Sequence, residues 1–154
     1  VLEGSGGAAE INLADRDIAN MATAEMADSP VVLVGDIDRG GVFAGLYGAF
    51  MLLPPERRER IRAFIINRFR GDASILGPGI ERLEELTGVP CAGVLPLTQL
   101  RMPAEDSLDL GRDRGSVVGS EDVRQAWMDS LEQLYRMSRD HLDYALLESI
   151  AAGG

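Results

Sequence analysis

The sequence of 154 residues contains no lysine, because all fifteen of its basic residues are arginines. A Walker A phosphate loop needs a lysine after its glycines, and Schiff-base catalysis needs a lysine amine, so these residues provide neither. The chain has one cysteine, Cys91, so an internal disulfide is excluded, and it has one histidine, His141. A Cys–His nucleophilic pair is not expected, nor is a metal site of several Cys and His ligands. We expect Cys91 to be a buried small side chain and His141 a surface residue.

Long apolar runs are also absent, since no stretch approaches the roughly 18 residues of a membrane span. No basic segment followed by an apolar one resembles a secretory leader. Together with the unpaired cysteine, these absences predict a cytoplasmic protein with no membrane partner. The formal net charge of −10 disfavours nucleic acid as a partner. A local arginine or a glycine-rich loop can still hold a small anionic ligand.

The sequence does contain an alternation of strand and helix patterns, which is typical of an α/β fold with a parallel sheet. The β-branched run Val31-Val-Leu-Val34 predicts a central strand, and Val1-Leu2 indicates the end of an earlier one. Further strands are predicted at 63–66 and 89–96, with helices beginning near Asp15, over 42–53 and over 75–86.

Three regions are predicted from the change of pattern along the chain. Residues 1–100 form the α/β domain, 101–119 a charged linker rich in glycine and proline, and 120–150 a long amphipathic helix or helix pair. We expect Trp127 in the apolar core of the last region. In the first helix, Ile18, Met21 and Met26 fall on one face at helical spacing.

Acidic, basic and glycine residues follow the Val31 strand, at the edge of a parallel sheet where ligands bind. Asp36 and Asp38 are candidates for binding Mg²⁺ or a substrate amide. Arg39 with Gly40 and Gly41 is suited to phosphate or carboxylate oxygens. The alternative for this loop is a helix N-cap with a solvated salt bridge.

Two other strand ends carry candidate ligands. Glu3 follows Val1-Leu2 and is suited to Mg²⁺ beside a phosphate, or is an ordinary surface acid at a turn. Asn67 follows the third strand, where its amide can pair with the edge of a purine or simply form a turn. Arg68, Arg70 and Asp72 are expected to be solvated.

Several stretches together resemble cobyric acid synthase, and the resemblance covers about residues 1–110. The combination is specific, although no single stretch would be. The stretches are Glu3-Gly-Ser-Gly-Gly-Ala-Ala-Glu-Ile-Asn-Leu13, Arg16-Asp-Ile-Ala-Asn-Met21, Val31-Val-Leu-Val-Gly-Asp-Ile-Asp-Arg-Gly-Gly-Val-Phe43, Phe64-Ile-Ile-Asn-Arg-Phe-Arg-Gly-Asp72, Gly88-Val-Pro to Leu95-Pro96 and Glu105-Asp-Ser107.

The resemblance implies a partial sheet of the P-loop NTPase type, similar to dethiobiotin synthetase. It also implies amidation of side-chain carboxylates of adenosylcobyrinic acid a,c-diamide to cobyric acid in cobalamin biosynthesis. ATP with Mg²⁺, the corrinoid, and ammonia from a glutamine-hydrolysing domain would be the partners, and homo-oligomerisation stays open. By position, Glu3 resembles the Mg²⁺-binding acid and Asn67 the adenine-reading amide, with Asp36, Asp38 and Arg39 at the active-site edge.

The family's phosphate loop with its lysine has no counterpart here, nor does its amidotransferase domain, and Cys91 and His141 match neither. Residues 120–150 resemble the family's C-terminal end, so we expect the amidotransferase domain to be missing between about 110 and 120. This chain alone is then expected to be inactive as a ligase. The alternative is a non-catalytic corrinoid-binding or protein-interaction module derived from the ligase.

Overall fold

The computed structural model describes residues 1–12, 18–98 and 121–153, which contain three β-strands and six α-helices. The chain divides into two compact units, Val1–Leu97 with His141–Gly154, and Thr98–Asp140. In chain order the elements are α1 (Met21–Met26), β1 (Val31–Asp36), α2 (Val42–Leu52), α3 (Pro55–Arg58), β2 (Ile61–Phe69), a 3₁₀ helix (Ala73–Leu76), α4 (Gly77–Thr87), β3 (Cys91–Pro96), α5 (Glu121–His141) and α6 (Tyr144–Ala151).

The three strands form one parallel sheet in the order β1-β2-β3. The predicted α/β architecture and its parallel strands are therefore confirmed. Strand β2 is longer than predicted, because it runs to Phe69 instead of ending at Ile66. Its pairing with β1 continues through Asp36 and Asn67, so Asn67, expected to follow the strand, lies within it.

One face of the sheet is packed against α2 and α4. Phe64 and Ile66 of β2 are fully buried there. The Phe50 ring of α2 meets the Phe64 ring edge to face, with the centroids 6.2 Å apart. Gly35 of β1 allows α2 to approach closely, because a Cβ atom at this position would lie 2.7 Å from Val42 Cγ2. The end of β1 and the start of α2 are thus fixed against each other.

The opposite face of the sheet is covered by α6, which follows a short backbone bridge to β3. Leu142 pairs with Gly93 in an isolated antiparallel bridge. The Asp143 side chain then accepts a hydrogen bond from the Leu146 N–H at 2.9 Å and caps α6. The buried residues of this face are Ala63, Ile65, Ala92 and Ile150.

The first twenty residues differ from the prediction. Val1 and Leu2 are exposed coil instead of the end of a strand, because no strand within the described residues pairs with them. The predicted start of the first helix at Asp15 lies outside the described residues, and α1 begins at Met21. Met21 is buried as expected, but Ile18 precedes the helix and Met26 ends it, so both are about 80% exposed.

Among the described residues, the second unit contains α5. The stretch expected to be a long helix or a helix pair contains α5 and α6, whereas the predicted linker 101–119 lies outside the described residues. Trp127 was expected in a core, and this is wrong, because the side chain is 45% exposed on α5. No helix in the part of the chain that the structure describes is long and apolar enough to cross a membrane.

Candidate functional site

The C-terminal ends of β1 and β2 place Asp36 and Asn67 side by side. The two residues are partners in the parallel register, and neighbouring strands lie about 4.8 Å apart. The Ile37 N–H extends the pairing by donating to the Asn67 carbonyl at 3.0 Å. We call residues 36–41 and 67–70 the carboxyl rim. Two of the candidates that sequence reasoning selected on separate strands therefore meet at one edge of the sheet.

The loop after β1 is a tight turn made by its own polar groups. Asp36 Oδ1 accepts a hydrogen bond from the Asp38 N–H at 2.9 Å, and the Gly40 N–H donates to the Ile37 carbonyl at 2.9 Å. Gly40 and Gly41 have φ angles of +78° and +71°, which side chains with a Cβ atom rarely adopt. This conformation turns the chain directly into α2.

Arginines from β2 and the loop after it neutralise both carboxylates of the rim. The Arg68 guanidinium lies 2.9 Å from Asp38 Oδ2 and 3.4 Å from Asp36 Oδ2. Arg70 Nε donates to Asp38 Oδ1 at 3.0 Å. This hydrogen bond from Arg70, reinforced by the charge of Arg68, holds the pKa of Asp38 below its usual range. Arg68 and Arg70 are exposed, in line with the expectation that they are solvated, but they also form ion pairs that sequence reasoning did not predict.

Arg68 occupies an unusual backbone position. Its φ angle is +66°, and the pairing of β2 with β3 is irregular between Ile66 and Phe69. The Arg68 N–H donates to Asn67 Oδ1 at 2.9 Å. This bond fixes the orientation of the Asn67 amide, leaving the Asn67 Nδ2 hydrogens as donors for an acceptor atom beyond the rim.

Arg39 is the basic side chain of the rim that has no acidic partner among the described residues. It is exposed and lies between Asp38 and the two left-handed glycines. The helix that follows has no side-chain cap and no acidic residue in its first turn. Arg39 and the free N–H groups at the start of α2 thus present positive charge at the same end of the helix.

Glu3 is the one predicted site residue that the structure does not join to the rim. It lies in exposed coil, and no hydrogen bond or ion pair among the described residues connects it to Asp36 or Asn67. The segment after it is held by Asn20, whose Nδ2 donates to the carbonyls of Ser5 at 2.7 Å and Gly7 at 3.2 Å. Sequence reasoning missed this role of Asn20, because the first helix was expected to begin near Asp15 and to contain Asn20, whereas α1 begins at Met21.

The same segment borders a cavity of about 420 Å³ against the C-terminal end of α2. The Asp36–Gly41 loop leads into the other end of that helix. The cavity wall therefore does not include the carboxyl rim. Its lining residues are 5–11, 18–20, 52–54 and Arg57.

The described side chains do not fit a preformed magnesium site. No group of three or more His, Cys, Asp or Glu residues in the described ranges is arranged to hold a metal ion. Asp36 and Asp38 are already paired with arginines. A thiol nucleophile is also unsupported, because burial raises the pKa of Cys91 and so disfavours its thiolate.

The fold and the rim define an α/β protein that presents acidic, amide and glycine-rich groups at the carboxyl end of its parallel strands. No protein-family model and no solved structure matches the chain. Curated sequences do match it. The chain is 56% identical over 116 residues to a probable cobyric acid synthase of Methanosarcina acetivorans, covering 75% of this chain and 24% of the relative.

A cobyric acid synthase of Listeria innocua is 60% identical over 110 residues, covering 71% of this chain and 22% of the relative. A probable cobyric acid synthase of Methanococcoides burtonii is 60% identical over 111 residues, covering 72% and 22%. The resemblance predicted from the motifs is confirmed, and over the matched residues this chain is similar to cobyric acid synthases. The chain spans about a quarter of the length of the curated relatives it matches.

Proposed function

We propose that this chain carries part of the nucleotide-using region of a cobyric acid synthase, which acts in cobalamin biosynthesis. The reaction would be the ATP- and glutamine-dependent amidation of corrin side-chain carboxylates, from adenosylcobyrinic acid a,c-diamide to cobyric acid. The observation that carries the proposal is the identity of 56–60% to cobyric acid synthases over 110–116 residues. The P-loop NTPase type of the sheet is part of this proposal.

The rim offers chemistry that suits an ATP-dependent ligase. The Asn67 amide, oriented by the Arg68 N–H, would donate to a ring nitrogen of adenine. Arg39 and the backbone N–H groups after Gly40 and Gly41 would face phosphate or carboxylate oxygens. Asp36, the register partner of Asn67, would line the same site. Glu3 remains a predicted ligand of phosphate-bound Mg²⁺.

Amide formation requires activation of the corrin carboxylate, since hydroxide is a poor leaving group. A carboxylate oxygen attacks the γ-phosphorus of ATP and ADP leaves, which gives an acyl phosphate. Ammonia then adds to the acyl carbon and inorganic phosphate departs. In such transfers the protein acts mainly by positioning and charge stabilisation. The rim residues described above would contribute binding and orientation, not a covalent intermediate.

We further propose that this chain alone does not turn over. The sequence has no lysine for a phosphate loop. Its single cysteine is a half-buried thiol with a raised pKa, which is unsuited to hydrolysing glutamine. The same facts favour a second candidate, a non-catalytic module that binds corrinoid or a protein partner. Amidation of the corrin substrate with ATP and glutamine, with this chain as the only protein, would refute the proposal that the chain alone is inactive.

Calorimetric titration distinguishes the two candidates. The chain is titrated with ATP, with and without Mg²⁺, and separately with adenosylcobyrinic acid a,c-diamide. Magnesium-dependent ATP binding that Glu3→Ala removes and Glu10→Ala preserves would support the ligase site, because both variants delete an exposed carboxylate of the same N-terminal coil. Corrinoid binding without any ATP binding would support the module instead.

A second pair of variants addresses the rim. Asp36→Asn keeps an acceptor for the Asp38 N–H but removes the charge, and Asn67→Asp replaces the donor amide by a carboxylate. For a ligase site, Asn67→Asp should weaken ATP binding at least tenfold, on the order of the value of one buried hydrogen bond. ATP affinity that both variants leave unchanged would show that the rim does not hold the nucleotide.

A further inference from the structure

Arg68 lies in a bulge of strand β2. Between Ile66 and Phe69 the chain of β2 advances by three residues, while its partner β3 advances by two, from Val94 to Pro96. An extra residue of this kind bends the strand and re-aims a side chain, and bulges are frequent beside functional sites. The direction of the Arg68 side chain is therefore not set by the regular alternation of side chains along a strand.

The backbone at Arg68 has a conformation that is unfavourable for an arginine. Its φ angle is +66°, a left-handed value that glycine adopts freely and that residues with a Cβ atom adopt rarely. Such a conformation persists where surrounding contacts hold it, and it directs attention to what the side chain does. Because a glycine would make the same turn with less strain, the turn alone does not account for an arginine at this position.

The Arg68 guanidinium connects the two carboxylates of the loop after β1. It lies 2.9 Å from Asp38 Oδ2 and 3.4 Å from Asp36 Oδ2. The other oxygen of the Asp36 carboxylate accepts a hydrogen bond from the Asp38 N–H at 2.9 Å. Both oxygens of Asp36 therefore have a partner, and the loop is tied to β2 by a side chain as well as by strand pairing.

The backbone of the same arginine acts on the Asn67 amide. The Arg68 N–H donates to Asn67 Oδ1 at 2.9 Å, and the Asn67 carbonyl accepts from the Ile37 N–H at 3.0 Å. These bonds form a closed ring of contacts from Asn67 through residues 36–38 to Arg68. The guanidinium closes this ring, because it joins the loop to the residue that directly follows Asn67.

We propose that Arg68 is the positioning residue of the carboxyl rim, which fixes the Asn67 amide relative to the loop 36–38 before a nucleotide binds. This role rests on the proposed function, in which ATP is the ligand of the rim. Arg68 acts through Asn67 and the loop and does not itself contact phosphate. Because its ion pairs are half-exposed, they add little to the stability of the fold, and their effect is to preorganise the site.

Arg68→Gly is the variant that separates positioning from fold stability. Glycine keeps the N–H and accepts the positive φ angle, but it removes the guanidinium. We expect the midpoint of urea unfolding to stay close to that of the original chain. ATP and adenosine should both bind about three- to tenfold more weakly in calorimetric titrations. Equal weakening follows from positioning, since a direct phosphate contact would weaken ATP more than adenosine.

Two comparison variants make the titrations specific. Arg82→Gln removes an exposed arginine that is paired with Glu85 on α4, outside the rim, and should leave both affinities unchanged. Arg68→Lys keeps the charge, but one ammonium group does not reproduce the planar guanidinium between Asp36 and Asp38. We therefore expect its affinities to fall between those of the original chain and those of Arg68→Gly.

Amide exchange measured by NMR tests the same role without a ligand. The Asp38 N–H, which is bonded to the Asp36 carboxylate, should exchange with solvent about three- to tenfold faster in Arg68→Gly. The Ile66 N–H in the sheet core should keep its rate and is the internal reference. The side-chain amide signals of Asn67, identified by their loss in Asn67→Asp, should broaden or shift in Arg68→Gly.

The two readouts separate failure of this role from failure of the proposed function. If the original chain binds neither ATP nor adenosine, the proposed function is contradicted, and the exchange of the Asp38 N–H decides on Arg68. Unchanged exchange at Asp38 in Arg68→Gly would overturn the positioning role. ATP weakened more than adenosine would assign a direct phosphate contact instead. A large fall in the urea midpoint, with faster exchange at Ile66, would make Arg68 a residue that stabilises the sheet.

Discussion

Gly35 is the residue whose replacement tests how the carboxyl rim is held in place. It directly precedes Asp36 at the end of β1 and lies under the first turns of α2. A Cβ atom at this position would lie 2.7 Å from Val42 Cγ2 and 2.9 Å from Leu46 Cγ. Both of these side chains are buried, so neither can move aside into solvent. Gly35→Ala should therefore force α2 away from β1.

The expected cost follows from two opposing effects. Inserting a methyl group into a packed core costs about 1–3 kcal/mol. Alanine is favoured over glycine inside a strand by about 0.5–1 kcal/mol, which offsets part of that cost. We expect Gly35→Ala to lower the free energy of unfolding by about 1–2 kcal/mol. For a domain of this size that corresponds to a melting temperature about 2–8 °C lower.

The measurement is urea unfolding followed by far-UV circular dichroism and by amide exchange at Ile66 in the sheet core. Tryptophan fluorescence is unsuitable, because the single tryptophan, Trp127, lies on α5 in the other unit. Gly48→Ala is the matched control: it lies inside α2 with nothing within 4 Å of its Cβ position. It should stabilise the chain by about 1 kcal/mol through helix propensity.

A double variant separates steric crowding from other causes. If the methyl group added by Gly35→Ala clashes with Leu46, the combination of Gly35→Ala with Leu46→Ala should cost less than the sum of the two single variants. Strict additivity, or a Gly35→Ala variant as stable as the original, would refute the close packing of α2 on β1. It would also remove the physical reason for the position of the loop that follows Asp36.

Three further perturbations address the core, the ion pairs and the sheet–helix bridge. Phe64→Ala should cost about 3–5 kcal/mol in urea unfolding, because the ring is fully buried against Phe50, whereas Phe64→Leu should cost less than half of that. The pKa of Asp38 is lowered from 3.8 in the folded state, so its stabilisation is present above that value and lost as the pH falls through the folded pKa. Asp38→Asn should therefore flatten the loss of stability measured between about pH 5 and pH 2, and an unchanged profile would argue against the arginine pairs. Gly93→Ala should cost about 1–3 kcal/mol and expose the amides of α6 to exchange, since Gly93 has a φ angle of +146° and a Cβ there would contact the His141 carbonyl.

The parallel sheet could be predicted because the sequence patterns that indicate it are short and continuous. The β-branched runs of β1 and β2 and the glycines after β1 appear as continuous stretches, and strand-to-helix alternation restricts the topology. The meeting of Asp36 with Asn67 then followed from a general property of parallel sheets, not from any signal shared by the two residues. Predictions of this kind depend on patterns of fewer than about ten residues.

The arginine pairs could not be predicted in the same way, since they depend on register. Arg68 reaches both carboxylates because β2 continues past Asn67 and turns with a positive φ angle at Arg68 itself. No local pattern in an Arg-Phe-Arg sequence predicts a positive φ angle at its first residue. The prediction of a strand end at Val1-Leu2 was wrong for a different reason. The composition of these residues suits a strand, but a strand needs a neighbour, and the described residues provide none.

The charge of the rim bears on the proposal that this strongly acidic chain holds an anionic nucleotide. The chain carries a net charge of −10, which would repel a triphosphate at long range. The rim, however, contains three arginines and two carboxylates, and both carboxylates form ion pairs with Arg68 or Arg70. Arg39 is then left as an uncompensated positive charge beside the start of α2. An Arg39→Gln variant should weaken ATP more than adenosine in calorimetric titrations, because only ATP carries the phosphates that this charge would attract. Equal weakening of ATP and adenosine would mean that Arg39 shapes the loop and does not contact phosphate.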